Sequence, residues 1–384
     1  METAPDKFTC SGEEWEPAGP RGEAVAVLMS GGVDSSVAAA TLRRQGRDVV
    51  GITMLIPSGI GPTASGVDLR ACCGTGASKV AKQIGVPHYF VDIREEFTAR
   101  VLKPFREAYR TGRTPSPCID CNTYVKFDAV IRLVREHLGI EQVATGHYAR
   151  IVEEDGSWGL FAGVDAGKDQ SYFLYGIRRD DLSRIVFPLG EQTKGETRRQ
   201  ADEWGLDAAD RAESVELCFA GQGDYRAALG EDPDAGPGDV LDTSGCVIGR
   251  HRGVSQYTYG QRGGLGVAAG VPLYVVDIDP ERNTVTLGDR DAASRRGVRA
   301  HKLNVLAPDA LARGGRFAGK IRSRLEAKPC TVTELAGDRA TVEFDEPEHG
   351  VTPGQHLVLY SDAGRVIAGG EIRRPRAIRT RECV

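Results

Sequence analysis

Apolar positions in the first 150 residues fall into short runs whose period alternates between that of a strand and that of a helix. Residues 24–29 (AVAVLM) form an unbroken apolar run of strand length, and beyond a glycine-containing loop the stretch 35–45 reads as helix. The alternation continues, with strands expected at 48–54, 87–92 and 142–145 and helices at 77–84, 94–109 and 125–138. Continuous apolar strands separated by helices predict a parallel sheet covered on both faces, the doubly wound α/β arrangement. From about residue 240 the helical period disappears. Short alternating segments punctuated by glycine, such as 273–278 and 284–287, lead into strands at 330–335, 339–344 and 356–360, which predict a small all-β barrel or sandwich.

A chain of 384 residues has room for two or three domains. The pattern divides it into a flexible leader (1–22), a catalytic α/β domain (23–222), a small central domain (223–291) and a C-terminal β-barrel (298–384). No run approaches the roughly 18 apolar residues needed to span a bilayer, and the acidic, Pro- and Gly-bearing start is unlike a signal peptide. Nine cysteines, an odd number in a long chain, suit reduced thiols with chemical or metal-binding work. These features place the protein in the cytosol, away from membranes. Although the whole chain carries −5, residues 281–384 are net basic. The clusters Arg295, Arg296, Arg299, Lys302 and Lys320, Arg322, Arg324, Lys328 are candidate contacts for a polyanion, or else a solvated face.

Candidate chemistry begins at Ser30-Gly31-Gly32-Val33-Asp34-Ser35-Ser36, between the first strand and its helix. Free backbone N–H groups and the positive end of the helix dipole converge there on any bound anion. The glycines permit close approach, the serines add donors, and Asp34 is placed to hold a magnesium ion on phosphate oxygens. The structural alternative is a tight turn followed by a capped helix. The pattern resembles the pyrophosphatase loop of ATP users that release pyrophosphate, and it lacks the lysine of a kinase-type loop.

A second candidate is Thr114-Pro115-Ser116-Pro117-Cys118-Ile119-Asp120-Cys121-Asn122, a proline-stiffened loop expected just before a helix. There the helix dipole would lower the Cys121 pKa and make it a thiolate near neutrality. Cys218 follows much later, flanked by carboxylates and apolar residues. A Cys-x-x-Cys pair is compatible with redox chemistry, half a zinc site or iron–sulfur ligation, but nothing completes a zinc tetrad. Cys10, Cys246, Cys330 and Cys383 read as small buried hydrophobes or incidental thiols, while the vicinal Cys72-Cys73 is either a turn or an approach to the nucleotide.

Taken in order, SGGVDSS, Cys72-Cys73, the run 113–127, Ala144-Thr-Gly-His-Tyr-Ala-Arg150, Lys168-Asp-Gln-Ser-Tyr-Phe-Leu174, Phe187-Pro-Leu-Gly190, Leu217-Cys-Phe219, Gly223-Asp-Tyr225, the run 258–266 and Pro353-Gly-Gln355 resemble the bacterial tRNA-specific 2-thiouridylases (MnmA type) from about residue 24 to 372. The resemblance implies an enzyme that adenylates the C2 oxygen of the wobble uridine, position 34 of tRNA, and replaces it with sulfur, releasing AMP and pyrophosphate. It implies ATP and Mg2+ at Leu28, Met29, Ser30, Gly31, Gly32, Val33, Asp34 and Ser35, with Met54 and Gly146 lining the nucleotide site. Cys121 matches the nucleophile and Cys218 the persulfide carrier; Ser116, Pro117 and Cys118 match the segment touching the target base. His147, Lys168, Asp169, Gln170, Arg322, Ser323 and Gln355 match tRNA contacts. The implied partners are tRNA and a sulfur source, either a donor protein (a persulfide relay or cysteine desulfurase) or free sulfide.

The chain departs from the family in carrying Cys118 where many relatives have an Asp, and Val215 where a Gln is common; the leader and the insertion 57–70 have no readable role. Two routes therefore stay open. In one, Cys218 carries a persulfide and a Cys121–Cys218 disulfide results. In the other, Cys118, Cys121 and Cys218 ligate a [4Fe–4S] cluster with one iron open, a reading the third cysteine favours. Rival functions are a small-molecule amide synthetase of the same ATP class, which lacks the Cys-x-x-Cys loop and β tail, and a non-catalytic RNA-binding or iron–sulfur sensing protein, which needs no intact ATP loop.

Overall fold

The expected alternation of strand and helix is realised in a computed structural model that describes residues 7–19, 23–57, 74–208, 217–219, 228–229, 236–267 and 270–374. Cys72, Cys73, Val215, Cys383, the Gly223–Tyr225 motif and nearly all of the 57–70 insertion lie outside the described residues. The chain divides into two compact units, one from residues 1–102 and 118–228, the other from 103–117 and 229–384.

In the first unit the described strands are β1 (Phe8–Cys10), β2 (Val25–Leu28), β3 (Val49–Leu55), β4 (His88–Asp92), β5 (Gln142–Thr145), the hairpin β6 (Ala149–Glu154) and β7 (Ser157–Ala162), and β8 (Ile185–Val186). The sheet runs β1-β4-β3-β2-β5-β8, with β1 alone antiparallel. Val25, Ala26 and Val27 are fully buried, as expected for a central strand covered on both faces. Helix α1 (Val33–Arg44) buries Val37, Ala38 and Ala39, and α2 (Gly74–Ile84) brings Ala77, Val80 and Ala81 to the same core as β2. Each fully buried valine contributes about 1.5–3 kcal/mol relative to exposure. Chain order reverses at β2, since β3 and β4 lie on one side and β5 and β8 on the other; ligands bind open α/β sheets at that crevice, beyond the strands' carboxyl ends.

Three expectations need correction. The leader is structured where described: β1 pairs with β4, and Trp15 is buried, its indole N–H 3.2 Å from the Asp48 carboxylate and its backbone N–H donating to the Tyr89 hydroxyl at 2.8 Å. An aromatic residue with a hydrogen-bond partner outweighs the local Pro/Gly signal. The helix expected at 94–109 is α3 (Arg94–Phe97), a π-helical turn Thr98–Leu102 and α4 (Lys103–Arg110). The helix expected from 125 starts earlier, with α5 (Pro117–Asp120), a π-helical segment Cys121–Val130 and α6 (Ile131–Leu138). A further helix, α7 (Lys194–Glu203), opens on a capping box between Thr193 and Glu196.

In the second unit β9 (Gly238–Leu241), β10 (Val247–His251), β11 (Tyr274–Asp279) and β12 (Thr284–Gly288) form a sheet ordered β10-β9-β12-β11. The remaining strands, β13 (Ser294–Val305), β14 (Arg316–Lys320), β15 (Lys328–Ala336), β16 (Arg339–His349), β17 (His356–Tyr360) and β18 (Val366–Ile372), close into a six-stranded antiparallel barrel, which decides between barrel and sandwich. Its interior holds Val298, Val332, Val342, Phe344 and Leu357, together with Cys330. Among the described residues no helix is long and apolar enough to cross a membrane.

Candidate functional site

The loop Ser30–Gly32 leaves the carboxyl end of β2 at the point where chain order reverses. Gly31 takes φ +71°, and no side chain caps the N-terminus of α1 at Gly32, so the first turn's N–H groups are not consumed by a cap. Ser35 Oγ accepts from Ser30 N–H at 3.0 Å, and Ser36 Oγ donates to Gly32 O at 2.8 Å, which ties the loop onto the helix. From the other side of the crevice, Gly146 follows β5. A Cβ at this position would lie 2.6 Å from Asp34 C and 2.7 Å from Ser35 N, closer than any side chain tolerates. Met54 is half-buried near the carboxyl end of β3, beside β2. All ten residues expected to contact ATP thus lie in one unit, around one crevice.

Sequence reading missed Lys194 and Tyr148. Lys194 is buried at the start of α7, 2.6 Å from Asp34 Oδ1, and the Tyr148 hydroxyl donates to the same oxygen at 2.8 Å. Burial, and beyond it the Asp34 carboxylate, push the Tyr148 phenol up, so it remains a donor. A cation thus reaches the loop from a helix 160 positions away, where a kinase-type loop would carry its lysine locally. The available signal was the Thr193–Glu196 capping box, which marks Lys194 as the first residue of a helix.

Cys118, Cys121 and Cys218 also belong to this unit; Cys118 senses the charge of Cys218, and Cys121 senses that of both Cys118 and Cys218. Cys118 keeps accessible surface, yet surrounding protein withdraws its thiol from bulk water and pushes its pKa up. Cys121 is buried, and desolvation pushes its thiol up to about 12, with Lys126 pulling the other way. The expected low-pKa thiolate is therefore overturned. Cys121 lies within a continuous helical run that begins at Pro117 instead of at a helix start, and removal from water outweighs any dipole. The π-helical turn closes at i+5, which brings Lys126 onto the face of Cys121. Phe219, buried edge-on against Phe97 at 5.8 Å, anchors the exposed Cys218. Among the described residues no group of three His, Cys, Asp or Glu side chains is arranged to hold a metal ion. Cys10 is a half-buried free thiol and Cys330 a free thiol buried in the barrel, whereas Cys246, expected as a small buried hydrophobe or an incidental thiol, is disulfide-bonded.

The expected RNA contacts are scattered. His147 Nδ1 lies 2.7 Å from Thr145 Oγ1, with Phe127 and Phe187 about its ring, and burial pulls its pKa far down, so it is neutral. Asp169 accepts from Gly163 and Ser171 N–H groups, and Gln170 Oε1 accepts from Tyr148 N–H at 2.9 Å, so both brace their own loop; Lys168 is half-exposed. In the second unit Ser116 and Ser323 are half-buried, Pro117 is buried, and Arg322 and Gln355 bond to the protein's own backbone.

A family model described as the tRNA methyl transferase HUP domain matches residues 23–222; the tRNA methyl transferase PRC-barrel domain matches 228–289, and the aminomethyltransferase beta-barrel domain matches 295–372. The chain is 43% identical to a tRNA-specific 2-thiouridylase MnmA of Carboxydothermus hydrogenoformans over 91% of its length and 97% of the relative's. It is 45% identical to that of Geobacter metallireducens (91% and 96%) and 42% identical to that of a Picosynechococcus species (92% and 99%). With the phosphate loop, the paired cysteines and the barrel all inside the matched length, the chain belongs to the tRNA-specific 2-thiouridylase family.

Proposed function

We propose that the protein replaces the C2 oxygen of the wobble uridine, position 34 of tRNA, with sulfur, using ATP and releasing AMP and pyrophosphate. The observation carrying this reading is that an uncapped phosphate loop and three cysteines occur in one unit of a chain that belongs to this family along its length. The uracil C2 oxygen attacks the α-phosphorus of ATP and pyrophosphate leaves, which converts a poor leaving group into AMP. Ser30–Ser35 hold the phosphates with backbone N–H groups, Met54 and Gly146 border the nucleotide, and Lys194 adds the cation that such charge demands. Asp34 commits one oxygen to Lys194 and Tyr148, and its carboxylate would hold Mg2+, which would offset the phosphate charge.

Sulfur then arrives either as sulfane sulfur passed from the persulfide of a donor protein to Cys218, or as free sulfide, which attacks C2 and displaces AMP directly. In the persulfide route, the terminal sulfur on Cys218 attacks C2 and AMP departs. Cys121 sulfur attacks Cys218 Sγ, the S–S bond to the base-bound sulfur breaks, and the thiocarbonyl remains on the base. The two cysteines end as a disulfide, which an external thiol reduces. Because the Cys121 thiol is protonated at neutral pH in the free protein, its activation belongs to the complex. We place no step on a [4Fe–4S] cluster, for which Cys118, Cys121 and Cys218 would be the ligands. The target base must leave its stack to be reached, and the central and barrel segments, 223–291 and 298–384, read as the backbone-binding surface.

The test incubates purified protein with ATP, Mg2+, unmodified tRNA and sulfide, followed by nucleotide analysis and nucleoside mass spectrometry. AMP with pyrophosphate and an oxygen-to-sulfur mass change are expected; ADP would overturn the reading. Asp34→Ala and Lys194→Met should abolish AMP formation while tRNA affinity stays within about twofold, as phosphate loop and barrel belong to different units. Iron and sulfide bound near four per chain and lost with activity in Cys118→Ala would decide for the cluster route instead of the persulfide one.

A further inference from the structure

The segment Thr111–Ser116, which leads into Cys118, is gripped by the barrel within the second unit. Gln355 Nε2 donates to Thr114 O at 3.0 Å and to Pro115 O at 3.3 Å, and two carbonyl acceptors fix which end of the amide faces the segment. Thr114 N–H donates to Pro353 O at 2.8 Å. Gly354, at φ +86°, lies so close that a Cβ there would sit 3.0 Å from Arg113 Cβ and from Thr114 N and O. One residue earlier, Arg113 Nη1 meets Glu371 Oε1 at 2.6 Å, and Lys302 Nζ takes the other carboxylate oxygen at 2.9 Å.

Glu371 is the centre of this grip, with a side chain only 13% exposed. Burial works to raise its carboxyl, but Lys302 and Arg113 outweigh that and hold it below the usual carboxylate range, so it is ionised at neutral pH. Lys302 faces it from an irregularity in β13 between His301 and Asn304, and takes φ +53°. A non-glycine residue in that conformation is strained, which surrounding contacts must offset. Pro115 and Pro117 restrict the segment further by fixing φ. Ordering a loop costs conformational entropy at every residue, and a plain connector between helices would leave its carbonyls to water.

We infer that Gln355 and the Arg113–Glu371–Lys302 cluster are positioning residues, which hold Thr114–Pro117 so that Ser116, Pro117 and Cys118 meet an extruded uracil in a single geometry. The inference rests on the tRNA reading above and assigns the Gln355 amide to the protein's own backbone instead of to RNA. Misplacing a reacting group by about 1 Å can cost about a hundredfold in rate. Loss of the clamp should therefore lower the rate of the bound complex far more than it weakens binding.

Gln355→Ala and, separately, Glu371→Gln in the full-length protein test this. Three quantities are compared with the unaltered protein: hydrogen exchange over residues 111–117, the Kd for tRNA, and the rate of AMP formation at saturating tRNA. Expected are faster exchange at the Thr114 amide, a Kd within about twofold and a rate lowered at least about tenfold. A weakened Kd with an unchanged saturated rate would return Gln355 to the RNA and overturn the inference, as would unchanged exchange and rate. Gln355 is half-buried, so its variant decides the matter if Glu371→Gln fails to fold. Should the unaltered protein form no AMP in response to tRNA, the functional reading fails, while exchange still decides whether the clamp exists.

Discussion

In the free protein Cys121 is a poor nucleophile, because its thiol is desolvated and its pKa stands at about 12, with Lys126 the opposing charge. The thiolate fraction, and with it the rate of alkylation by a neutral reagent, should therefore rise about tenfold per pH unit through pH 9 without levelling. Mass spectrometry of the peptide would separate Cys121 from Cys118. A plateau below pH 9 would refute the burial account. Lys126→Met should slow alkylation at every pH, since removing the cation disfavours the thiolate. The motif Cys118-Ile119-Asp120-Cys121 was legible as reactive chemistry, but the state of the thiol was not. Its environment depends on groups such as Cys218, which only the fold brings near. Lys194 was hidden for the same reason: its partner Asp34 is remote in sequence.

At the scale of elements, the strands β2, β3, β4 and β5 were legible because central parallel strands are continuous apolar runs, which leave little choice of period. The π-helical segments were not, since their side chains alternate between buried and exposed faces much as an α-helix does, and only the hydrogen-bond register differs. β1 was masked by its polar, glycine-bearing surroundings, though Trp15 ties the region down. The approach of the β5 end to α1 yields a sharp expectation. Gly146→Ala places a methyl against the backbone of Asp34 and Ser35, so the first turn of α1 must shift. The N–H groups that would meet phosphate move with it. The KM for ATP should rise at least about tenfold, with tRNA affinity preserved and only a modest loss of about 1–3 kcal/mol in stability. ATP titration by calorimetry together with urea unfolding would check this; an unchanged ATP affinity would show that the crevice at Gly146 is not the nucleotide site.

For the whole molecule, the partner is a polyanion and the chain is net negative, so binding must come from local basic surface in place of overall attraction. Charge patterning puts Arg322 and Arg324 in one basic cluster, and the family resemblance singles out Arg322 as a tRNA contact; the structure separates the two the other way. Arg322 Nη2 reaches Gly350 O at 2.6 Å and Thr352 Oγ1 at 2.7 Å, where Gly260 and Gly350 lie too close together for a Cβ without crowding. Its guanidinium satisfies groups of the protein itself, in the same unit as the central sheet. Arg324 is exposed in the loop between β14 and β15, and Leu325 beside it is exposed as well. Charged hydrogen bonds to buried acceptors leave a penalty of about 1–3 kcal/mol when the donor is removed, so Arg322→Ala should lower the urea midpoint while the salt dependence of tRNA binding keeps its slope. Arg324→Ala should do the reverse. Each lost phosphate contact removes about 0.7–0.9 from the slope of log affinity against log salt, and stability should stay within about 0.5 kcal/mol. Filter binding over a salt series with both variants decides it. A flattened slope for Arg322→Ala at full stability would mean that its guanidinium leaves Gly350 and Thr352 to meet RNA, whereas an unchanged slope for Arg324→Ala would mean that RNA approaches the barrel from another side.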